Sequence, residues 1–473
     1  MSKSKKQKTH FVGIFGSGMS AIAQYLAGSG VSVSGSDRLL DSPDTVNVKD
    51  ALLSCGCTIH PQDGGGITND TSSVCVSTAI EETNPDIAAA RALNIPILHR
   101  SDLLASIVKG KKSVAVAGTS GKSTVTAMIF ELLTACGMSP SLISGAALRS
   151  LERRGLFGNA YCGTSDLLVV EADESDGTLV KYEPYASVVL NLSKDHKPEE
   201  EVFEMFRRLI SQSAWSAVNA DDPKLRALTG AASTSFGFGG SAAFRGAVTA
   251  TAPLSTTVNI VQTGEHSSPL QGNNEACAMT LPLPGAHNAS NLLAALCVCK
   301  HLGCGDQHLS DAVAGYQGVD RRFAVTRTAK GVAVIDDFAH NPEKIRAAAS
   351  AAKQLSERII AVYQPHGFGP TRFLKNEYAA AFKEIFRPTD TLCLLPIYYA
   401  GGTAVKDIES KDIIDLMGGV PFKAVAVNGR DDVVNIIEEA VSIHPDSAVL
   451  LMGARDPSLS GFARRIVDVL GGA

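Results

Sequence analysis

The feature that most constrains the fold is an apolar segment that runs directly into a glycine-rich turn. The segment is SVAVAG (113–118), and Thr119-Ser120-Gly121-Lys122-Ser123 follows it. A strand that ends in such a turn and continues as a helix places backbone N–H groups, one ammonium and one hydroxyl around a triphosphate. Val116 stands where the full P-loop pattern has its first glycine. The sequence still predicts an ATP or GTP site with Mg²⁺ at the start of a helix over 124–136.

Length and composition indicate a globular protein of several domains. The chain has 473 residues, more than the roughly 250–300 that one hydrophobic core supports, and 45% of them are hydrophobic. A formal net charge of −5 argues against a dedicated nucleic-acid binder. No apolar run approaches the roughly 20 residues of a membrane span, and no signal peptide follows the N-terminal lysines. We therefore expect a cytoplasmic monomer or weak homodimer, with ten free thiols and no membrane insertion.

Alternating strand-like and helix-like segments predict three α/β domains in series. The first, 10–108, opens with a strand, a glycine turn, a helix and a second strand. The second, 109–318, carries the triphosphate turn and a β-rich stretch. The third, 319–473, contains four apolar segments that we interpret as strands of another sheet, separated by helix-length connections.

A second glycine turn, Gly16-Ser17-Gly18-Met19, follows the first predicted strand. Asp37 lies about 20 residues further on, as in a dinucleotide-binding fingerprint, and Ala21 takes the third glycine position. These residues alone leave a nicotinamide-dependent dehydrogenase open as one hypothesis.

Polar residues cluster where several predicted strands end, which is where ligands bind in α/β domains. Carboxylates at such an edge beside a phosphate loop favour Mg²⁺ binding. Asn288 and Asn291 open a helix, where they either cap it or hold a base. The strand-end clusters are Glu171-Ala-Asp173-Glu174-Ser-Asp176, Asn191-Leu-Ser-Lys-Asp195-His196, Asp336-Asp337-Phe-Ala-His340-Asn341-Pro342 and Gln364-Pro365-His366.

Taken together, these motifs resemble the Mur ligases, a family of ATP-dependent amide-forming enzymes of bacterial cell-wall synthesis. The resemblance extends over nearly the whole chain and is most specific to the branch that joins L-alanine to UDP-N-acetylmuramate. The segments that carry it are GIFGSGMSAIA (13–23), SGSD (34–37), STAIEETNP (77–85), GTSGKST (118–124), EADESDG (171–177), GAHNASN (285–291), GVDRRF (318–323) and DDFAHNP (336–342).

The resemblance implies a Rossmann-like domain for the UDP-sugar, a central P-loop ATPase-like domain for ATP, and a C-terminal Rossmann-like domain for the amino acid. The implied reaction phosphorylates the muramyl carboxylate with ATP, and the amine then displaces phosphate. The partners implied are UDP-N-acetylmuramate and an amino acid or short peptide, with ATP and Mg²⁺ as cofactors.

The resemblance also implies a role for each matching residue. Lys122, Glu174, His196, Arg322 and His340 are the implied catalytic residues, and Ser123, Glu174 and His196 the implied Mg²⁺ ligands. The implied ATP-binding residues are Gly118, Thr119, Ser120, Gly121, Lys122, Ser123, Thr124, Asn288, Asn291 and Asp337. The implied UDP-sugar-binding residues are Gly16, Ser17, Gly18, Met19, Asp37 and Ser77, and the implied amino-acid-binding residues are His366 and Arg372.

Three departures from the family pattern concern the metal site and the acceptor pocket. No lysine occurs from Pro198 to Pro223, where many members carry a carbamylated lysine, and Arg207 stands at about that position. Asn341 replaces a histidine that is usual in the alanine-adding branch. Pro370 stands where an arginine that grips the amino-acid carboxylate is expected, which leaves Arg372.

Two further hypotheses remain open beside L-alanine ligation and the dehydrogenase. One is the same chemistry with a different acceptor, such as a recycled murein peptide. The other is a nucleotide-binding regulator without catalytic activity, for which the missing lysine and the altered acceptor loop are the motivation.

Overall fold

The computed structural model describes residues 8–175, 177–193, 197–262, 277–399, 405–454, 456 and 458–472. Within these ranges the chain forms three sheets, which follow one another in sequence and alternate with helices. The chain divides into two compact units, Met1–Val319 with the first two sheets and Asp320–Ala473 with the third. Among the described residues no helix combines the length and apolarity that crossing a membrane requires. All ten cysteines are free thiols.

The first sheet has five parallel strands in the order β3-β2-β1-β4-β5. The chain reverses direction across the sheet between β1 and β4, so the turn after β1 opens at a topological switch point. The elements of this part are β1 (Lys8–Val12), α1 (Ser17–Gly28), β2 (Ser32–Ser36), α2 (Val46–Ser54), β3 (Thr58–His60), β4 (Ser73–Val76), α3 (Pro85–Ala92), β5 (Ile97–His99) and α4 (Arg100–Lys109).

The second sheet has ten strands in the order β15-β14-β13-β12-β11-β10-β6-β9-β7-β8. Its central strand β6 lies between β10 and β9, all parallel, and is buried from Ser113 to Ala117. The elements are β6 (Lys112–Ala117), α5 (Lys122–Ala135), β7 (Ser141–Ile143), α6 (Arg149–Glu152), β8 (Ala160–Tyr161), β9 (Leu167–Glu171), β10 (Ala186–Val189), α7 (Glu199–Gln212), β11 (Trp215–Asn219), α8 (Arg226–Thr229), β12 (Thr234–Gly237), β13 (Phe244–Ala252), β14 (Ser255–Gln262), β15 (Cys277–Leu281), α9 (Ala286–His301) and α10 (Asp306–Ala314).

Among the described residues the third sheet has six strands in the order β16-β17-β21-β18-β19-β20, of which only β16 runs antiparallel to its neighbour. Apolar residues on both faces of its strands pack under the flanking helices in two clusters. The elements are β16 (Ala324–Arg327), β17 (Ala333–Asp337), α11 (Pro342–Ala352), β18 (Ile359–Gln364), α12 (Phe368–Ile385), β19 (Thr391–Leu394), α13 (Ser410–Met417), β20 (Lys423–Ala426), α14 (Arg430–Ile443), β21 (Ala448–Gly453) and α15 (Leu459–Val469).

The predicted fold class is confirmed: the chain is α/β, with largely parallel sheets of the Rossmann-like and P-loop-like kinds. Strand β9 ends at Glu171, the first residue of the predicted acidic strand-end cluster, and the polar residues after it lead into the site described below. The domain boundaries 10–108, 109–318 and 319–473 stay a prediction.

Candidate active site

The turn that joins β6 to the start of α5, residues 118–123, is called the phosphate turn below. Its conformation depends on two glycines with positive φ. Gly118 has φ +145° and Gly121, the N-cap of α5, has φ +85°. A Cβ on Gly121 would lie 2.6 Å from Oδ1 of Asn291, so a larger residue has no room there. The first N–H groups of α5 have no partner within the helix, which makes this turn suitable for anionic phosphate oxygens.

Side chains after β10 hold the turn in place. The Oδ1 atom of Asn191 accepts from the Ser120 backbone N–H at 2.8 Å and from the Thr119 hydroxyl at 2.9 Å. The Asn191 amide in turn donates to the Ser120 carbonyl at 2.9 Å, and Thr119 Oγ1 lies 2.9 Å from Ser193 Oγ. Asn191 therefore fixes the backbone of Ser120, a predicted ATP-binding residue.

Lys122 forms a buried ion pair with Glu174. Its Nζ lies 2.8 Å from the Glu174 carboxylate and 2.9 Å from the Gly118 carbonyl, with Asp173 at 3.6 Å. Burial by itself lowers the pKa of Lys122, but the carboxylates of Glu174 and Asp173 outweigh it, so the pKa is raised. Burial raises the pKa of Glu174, and the ammonium opposes that shift only in part. Lys122 is therefore a permanent cation over the phosphate turn.

The next residue, Ser123, is paired with a different carboxylate. Its hydroxyl donates to Glu171 Oε1 at 3.0 Å, and Glu171 Oε2 accepts from the Ser144 hydroxyl at 3.1 Å and the Gly145 N–H at 3.0 Å. A hydroxyl and a carboxylate side by side are hard oxygen donors of the type Mg²⁺ prefers. Glu171 was in the predicted acidic cluster but not among the predicted ligands. The sequence shows four carboxylates and cannot show which of them faces Ser123.

The start of α9 lies against the phosphate turn. Asn288 and Asn291 are buried, Asn288 donates to the Pro284 carbonyl at 2.8 Å, and Asn291 donates to Asn288 Oδ1 at 3.4 Å. Neither side chain caps its own helix.

The predicted UDP-sugar residues gather around the turn after β1. Asp37 accepts from the backbone N–H of Phe15 and of Leu39, each at 3.0 Å, which closes the end of β2 onto this turn. Gly16 is the N-cap of α1, and Ser17 and Gly18 are its first two residues. The Met19 side chain is buried in the core, so only its main chain can face a ligand. Ser77 lies one residue beyond β4, the neighbour of β1.

Arg100 was missed by the sequence-based prediction, although it lies directly over Gly18. A Cβ at Gly18 would come within 2.1 Å of its Nη1 atom. Arg100 begins α4, more than 80 residues away along the chain, and no local motif marks it. The guanidinium adds positive charge to the N-terminus of α1, the end of the helix that favours anions.

In the third sheet, Arg322 lies just before β16, and Asp337 ends β17, the strand that pairs with β16. Arg321 and Phe323, on either side of Arg322, have φ of +57° and +51°, a conformation that costs energy for residues other than glycine. Asp337 accepts from the N–H groups of Phe323 at 2.7 Å and Ala339 at 2.8 Å. Burial raises the pKa of Asp337, and Arg322 opposes this.

The structure also brings His340 and His366 together. Their ring centroids lie 5.6 Å apart in an edge-to-face arrangement, and Nδ1 of His340 lies 2.9 Å from the Phe338 carbonyl. Arg372, on the first turns of α12, donates to the Val405 carbonyl at 3.1 Å and pairs with Asp407. This pair lowers the pKa of Asp407. Arg372, the arginine predicted to bind the amino acid, is therefore paired with a carboxylate of the chain itself.

Two predicted features of the metal site have different outcomes. His196 lies outside the described residues, so its role as a ligand stays a prediction. Arg207 lies on α7, where its guanidinium pairs with Glu204 at 2.6 Å and its side chain is 59% exposed. In the ranges that the structure covers, no three His, Cys, Asp or Glu side chains converge as a metal site.

Three family models match the chain in the order of its three sheets. They are described as Mur ligase family, catalytic domain, over residues 8–112; Mur ligase middle domain, over 116–299; and Mur ligase, glutamate ligase domain, over 321–455. Together they span most of the chain. The chain belongs to the Mur ligase family. The resemblance seen in its sequence motifs is confirmed.

Relatives of this Mur ligase come from several bacteria. It is 36% identical to a UDP-N-acetylmuramate–L-alanine ligase of Arthrobacter sp. (strain FB24), covering 86% of this chain and 85% of the other. The Cereibacter sphaeroides protein of the same description is 32% identical, with 94% and 93% covered. A crystal structure of a UDP-N-acetylmuramate-alanine ligase from Thermotoga maritima superposes with a TM-score of 0.77 and 25% identity, covering 98% of each chain.

Proposed function

We propose that this Mur ligase uses ATP to join L-alanine to the lactyl carboxylate of UDP-N-acetylmuramate in peptidoglycan precursor synthesis. The observation that carries the proposal is the phosphate turn itself. Lys122 offers a buried cation and Ser123 a hydroxyl beside Glu171, both at the first turn of α5. The relatives described above supply the identity of the substrates. The reaction takes place in the cytoplasm, where ATP is available.

In the first step one oxygen of the muramyl carboxylate bonds to the γ-phosphorus of ATP. The bond from that phosphorus to the β–γ bridging oxygen breaks, and ADP leaves. Lys122 and the N–H groups of the turn stabilise the negative charge that spreads over the phosphoryl oxygens. Because the carbonyl of Gly118 and the carboxylate of Glu174 hold the ammonium, it is already in place when ATP binds.

The oxygen donors of this site fit Mg²⁺. Ser123 and His196, two of the predicted ligands, would hold it together with Glu171, which accepts from the Ser123 hydroxyl. Glu174, the third predicted ligand, is paired with Lys122, and we assign it to holding that ammonium. When bound, Mg²⁺ supplies charge neutralisation for the β- and γ-phosphates. Ser144 and Gly145 hold the far oxygen of Glu171, so that its near oxygen stays directed toward Ser123.

In the second step the amine of L-alanine attacks the acyl phosphate carbon. A tetrahedral intermediate forms and collapses, the amide bond is made, and inorganic phosphate leaves with the carboxylate oxygen it acquired. The proton of the amine passes to a base. We assign Arg322 and His340 to stabilising this step, and His366 and Arg372 to binding the amino acid.

The UDP-sugar binds at the turn after β1. The N–H groups of Gly16–Met19 at the start of α1 face the pyrophosphate, while Asp37 and Ser77 lie toward the uridine. Arg100 adds a positive charge at the same helix end. Asn288, Asn291 and Asp337 contribute to ATP binding.

Product mass and phosphate release test this function together. Purified protein receives ATP, Mg²⁺ and UDP-N-acetylmuramate with L-alanine, glycine, L-serine or a muropeptide-type tripeptide, and Lys122→Ala serves as the inactive control. We expect phosphate release with L-alanine and a product heavier by one alanyl residue.

The pair between Arg372 and Asp407 favours one second candidate, ligation of a different acceptor. Turnover with another amine but not with L-alanine would establish it. Phosphate release with none of them, from folded wild-type protein, would contradict ligation and favour the regulator.

A further inference from the structure

The side-chain amide of Asn159 joins helix α1 of the first sheet to the second sheet. Its Oδ1 accepts from Gln24 Nε2 at 2.9 Å, and its Nδ2 donates to the Ser17 carbonyl at 3.2 Å and lies 3.4 Å from Ser20 Oγ. Ser17 is the first residue of α1, within the turn assigned to the UDP-sugar pyrophosphate. The Asn159 side chain thus binds the N-terminal end of α1, where we place the sugar nucleotide.

The backbone carbonyl of Asn159 is linked through hydrogen bonds to the phosphate turn. The Ser144 N–H donates to the Asn159 carbonyl at 2.9 Å, and the Ser144 hydroxyl donates to Glu171 at 3.1 Å. Glu171 accepts from Ser123 through its other oxygen. An unbroken series of hydrogen bonds therefore runs from Ser17 through Asn159, Ser144 and Glu171 to Ser123.

The series is protected from water at its middle. Asn159 is 3% exposed, Ser144 3% and Gln24 6%. A buried amide that loses its partners pays a desolvation penalty, so these groups hold one arrangement rather than exchanging with solvent. The distance between the two nucleotide turns is consequently set by polar contacts with fixed directions, and not by apolar packing alone.

We propose that Asn159 is a positioning residue, which sets the UDP-sugar turn in register with the Ser123–Glu171 pair of the ATP site. This inference rests on the proposed function and adds to it a residue that acts through its hydrogen bonds to Ser17 and Ser144. Phosphoryl transfer requires the muramyl carboxylate to lie in line with the γ-phosphate within a few tenths of an ångström. A misplacement of about 1 Å costs on the order of 100-fold in rate.

Two variants and one control test the role. Asn159→Ala removes the whole amide, whereas Asn159→Asp keeps the acceptor for Gln24 and loses the donor to Ser17. Ser113→Ala is the control, since Ser113 is also fully buried and donates 2.8 Å to the Val108 carbonyl. It begins the buried part of β6, at the opposite end of that strand from the phosphate turn.

A split between turnover and binding is the expected result. We expect kcat to fall at least about tenfold in both Asn159 variants. The separately measured Kd values for UDP-N-acetylmuramate and for a non-hydrolysable ATP analogue should stay within about threefold, and kcat of Ser113→Ala within about twofold. An unchanged kcat in the folded Asn159 variants, or an equal loss in the control, would overturn the proposal.

Hydrogen exchange of the wild type gives a second measurement that needs neither turnover nor a variant. Binding of UDP-N-acetylmuramate should slow exchange at the start of α1 and also at the amides of Ser144 and Gly145. Protection confined to the first sheet would overturn the role of Asn159.

Binding without ligated product would contradict the proposed function alone, whereas no binding of UDP-N-acetylmuramate would contradict both.

Discussion

The hydroxyl of Ser123 donates a 3.0 Å hydrogen bond to Glu171, whereas Lys122, one residue earlier, pairs with Glu174 at 2.8 Å. Two adjacent residues of the phosphate turn thus divide two carboxylates of one acidic cluster between them. Because each carboxylate has its own partner, we assign Glu171 to the proposed Mg²⁺ site and Glu174 to holding the Lys122 ammonium.

This division predicts different outcomes for Glu171→Gln and Glu174→Gln. Glu171→Gln removes a charged oxygen beside Ser123, so the Mg²⁺ concentration for half-maximal activity should rise by about 10- to 100-fold. Glu174→Gln loosens Lys122 and should chiefly lower kcat. Mg²⁺ titrations of steady-state turnover measure both. The same Mg²⁺ dependence in the two variants would contradict the division, and Ser123→Thr, which keeps the hydroxyl, should retain activity.

Replacing Gly18 with alanine should weaken UDP-sugar binding without affecting ATP. The new Cβ would lie 2.1 Å from Arg100 Nη1, so the flexible guanidinium must leave its place over α1 while the fold persists. We expect the Kd for UDP-N-acetylmuramate to rise about tenfold by calorimetry, with the Kd for an ATP analogue unchanged. Gly230→Ala is the control, because a Cβ there meets nothing within 4 Å. A parallel loss of ATP affinity would argue against two separate sites.

Turnover should not depend on carbon dioxide. Where many family members carry a carbamylated lysine, this chain has Arg207, which is paired with Glu204 on an exposed face of α7. A guanidinium forms no stable carbamate, and we therefore expect the same rate in CO₂-depleted buffer and in added bicarbonate. Arg207→Ala should keep its activity within about twofold. Activation by bicarbonate would show that a lysine elsewhere takes over the role.

The pair between Arg372 and Asp407 predicts opposite effects on the amino-acid KM. Arg372→Lys loses the planar fork that matches a carboxylate, so KM for L-alanine should rise at least about tenfold. Asp407→Asn removes the competing carboxylate and should lower it. Since we place UDP-N-acetylmuramate at the turn after β1, its KM serves as the internal control. If KM for L-alanine stays constant in both variants, Arg372 does not bind the acceptor.

The fold and the two nucleotide turns were predictable because their signals are local. A buried apolar run, glycines with positive φ and a helix start follow one another within about ten residues at Gly118–Ser123, and the motif order identified the family. Contacts between distant segments left no such signal. Arg100 approaches Gly18 from 82 residues further along the chain, and Asn159 reaches Ser17 across 142 residues. Likewise, which carboxylate meets Ser123 depends on where β9 ends.

Oxygen tracing from the muramyl carboxylate tests the central claim most directly. UDP-N-acetylmuramate labelled with ¹⁸O in that carboxylate is incubated with ATP, Mg²⁺, L-alanine and the wild-type protein, and the phosphate and product are analysed by mass spectrometry. Ligation through an acyl phosphate predicts one ¹⁸O atom in each phosphate released and a product one alanyl residue heavier. Unlabelled phosphate, or phosphate release without that product, would contradict it.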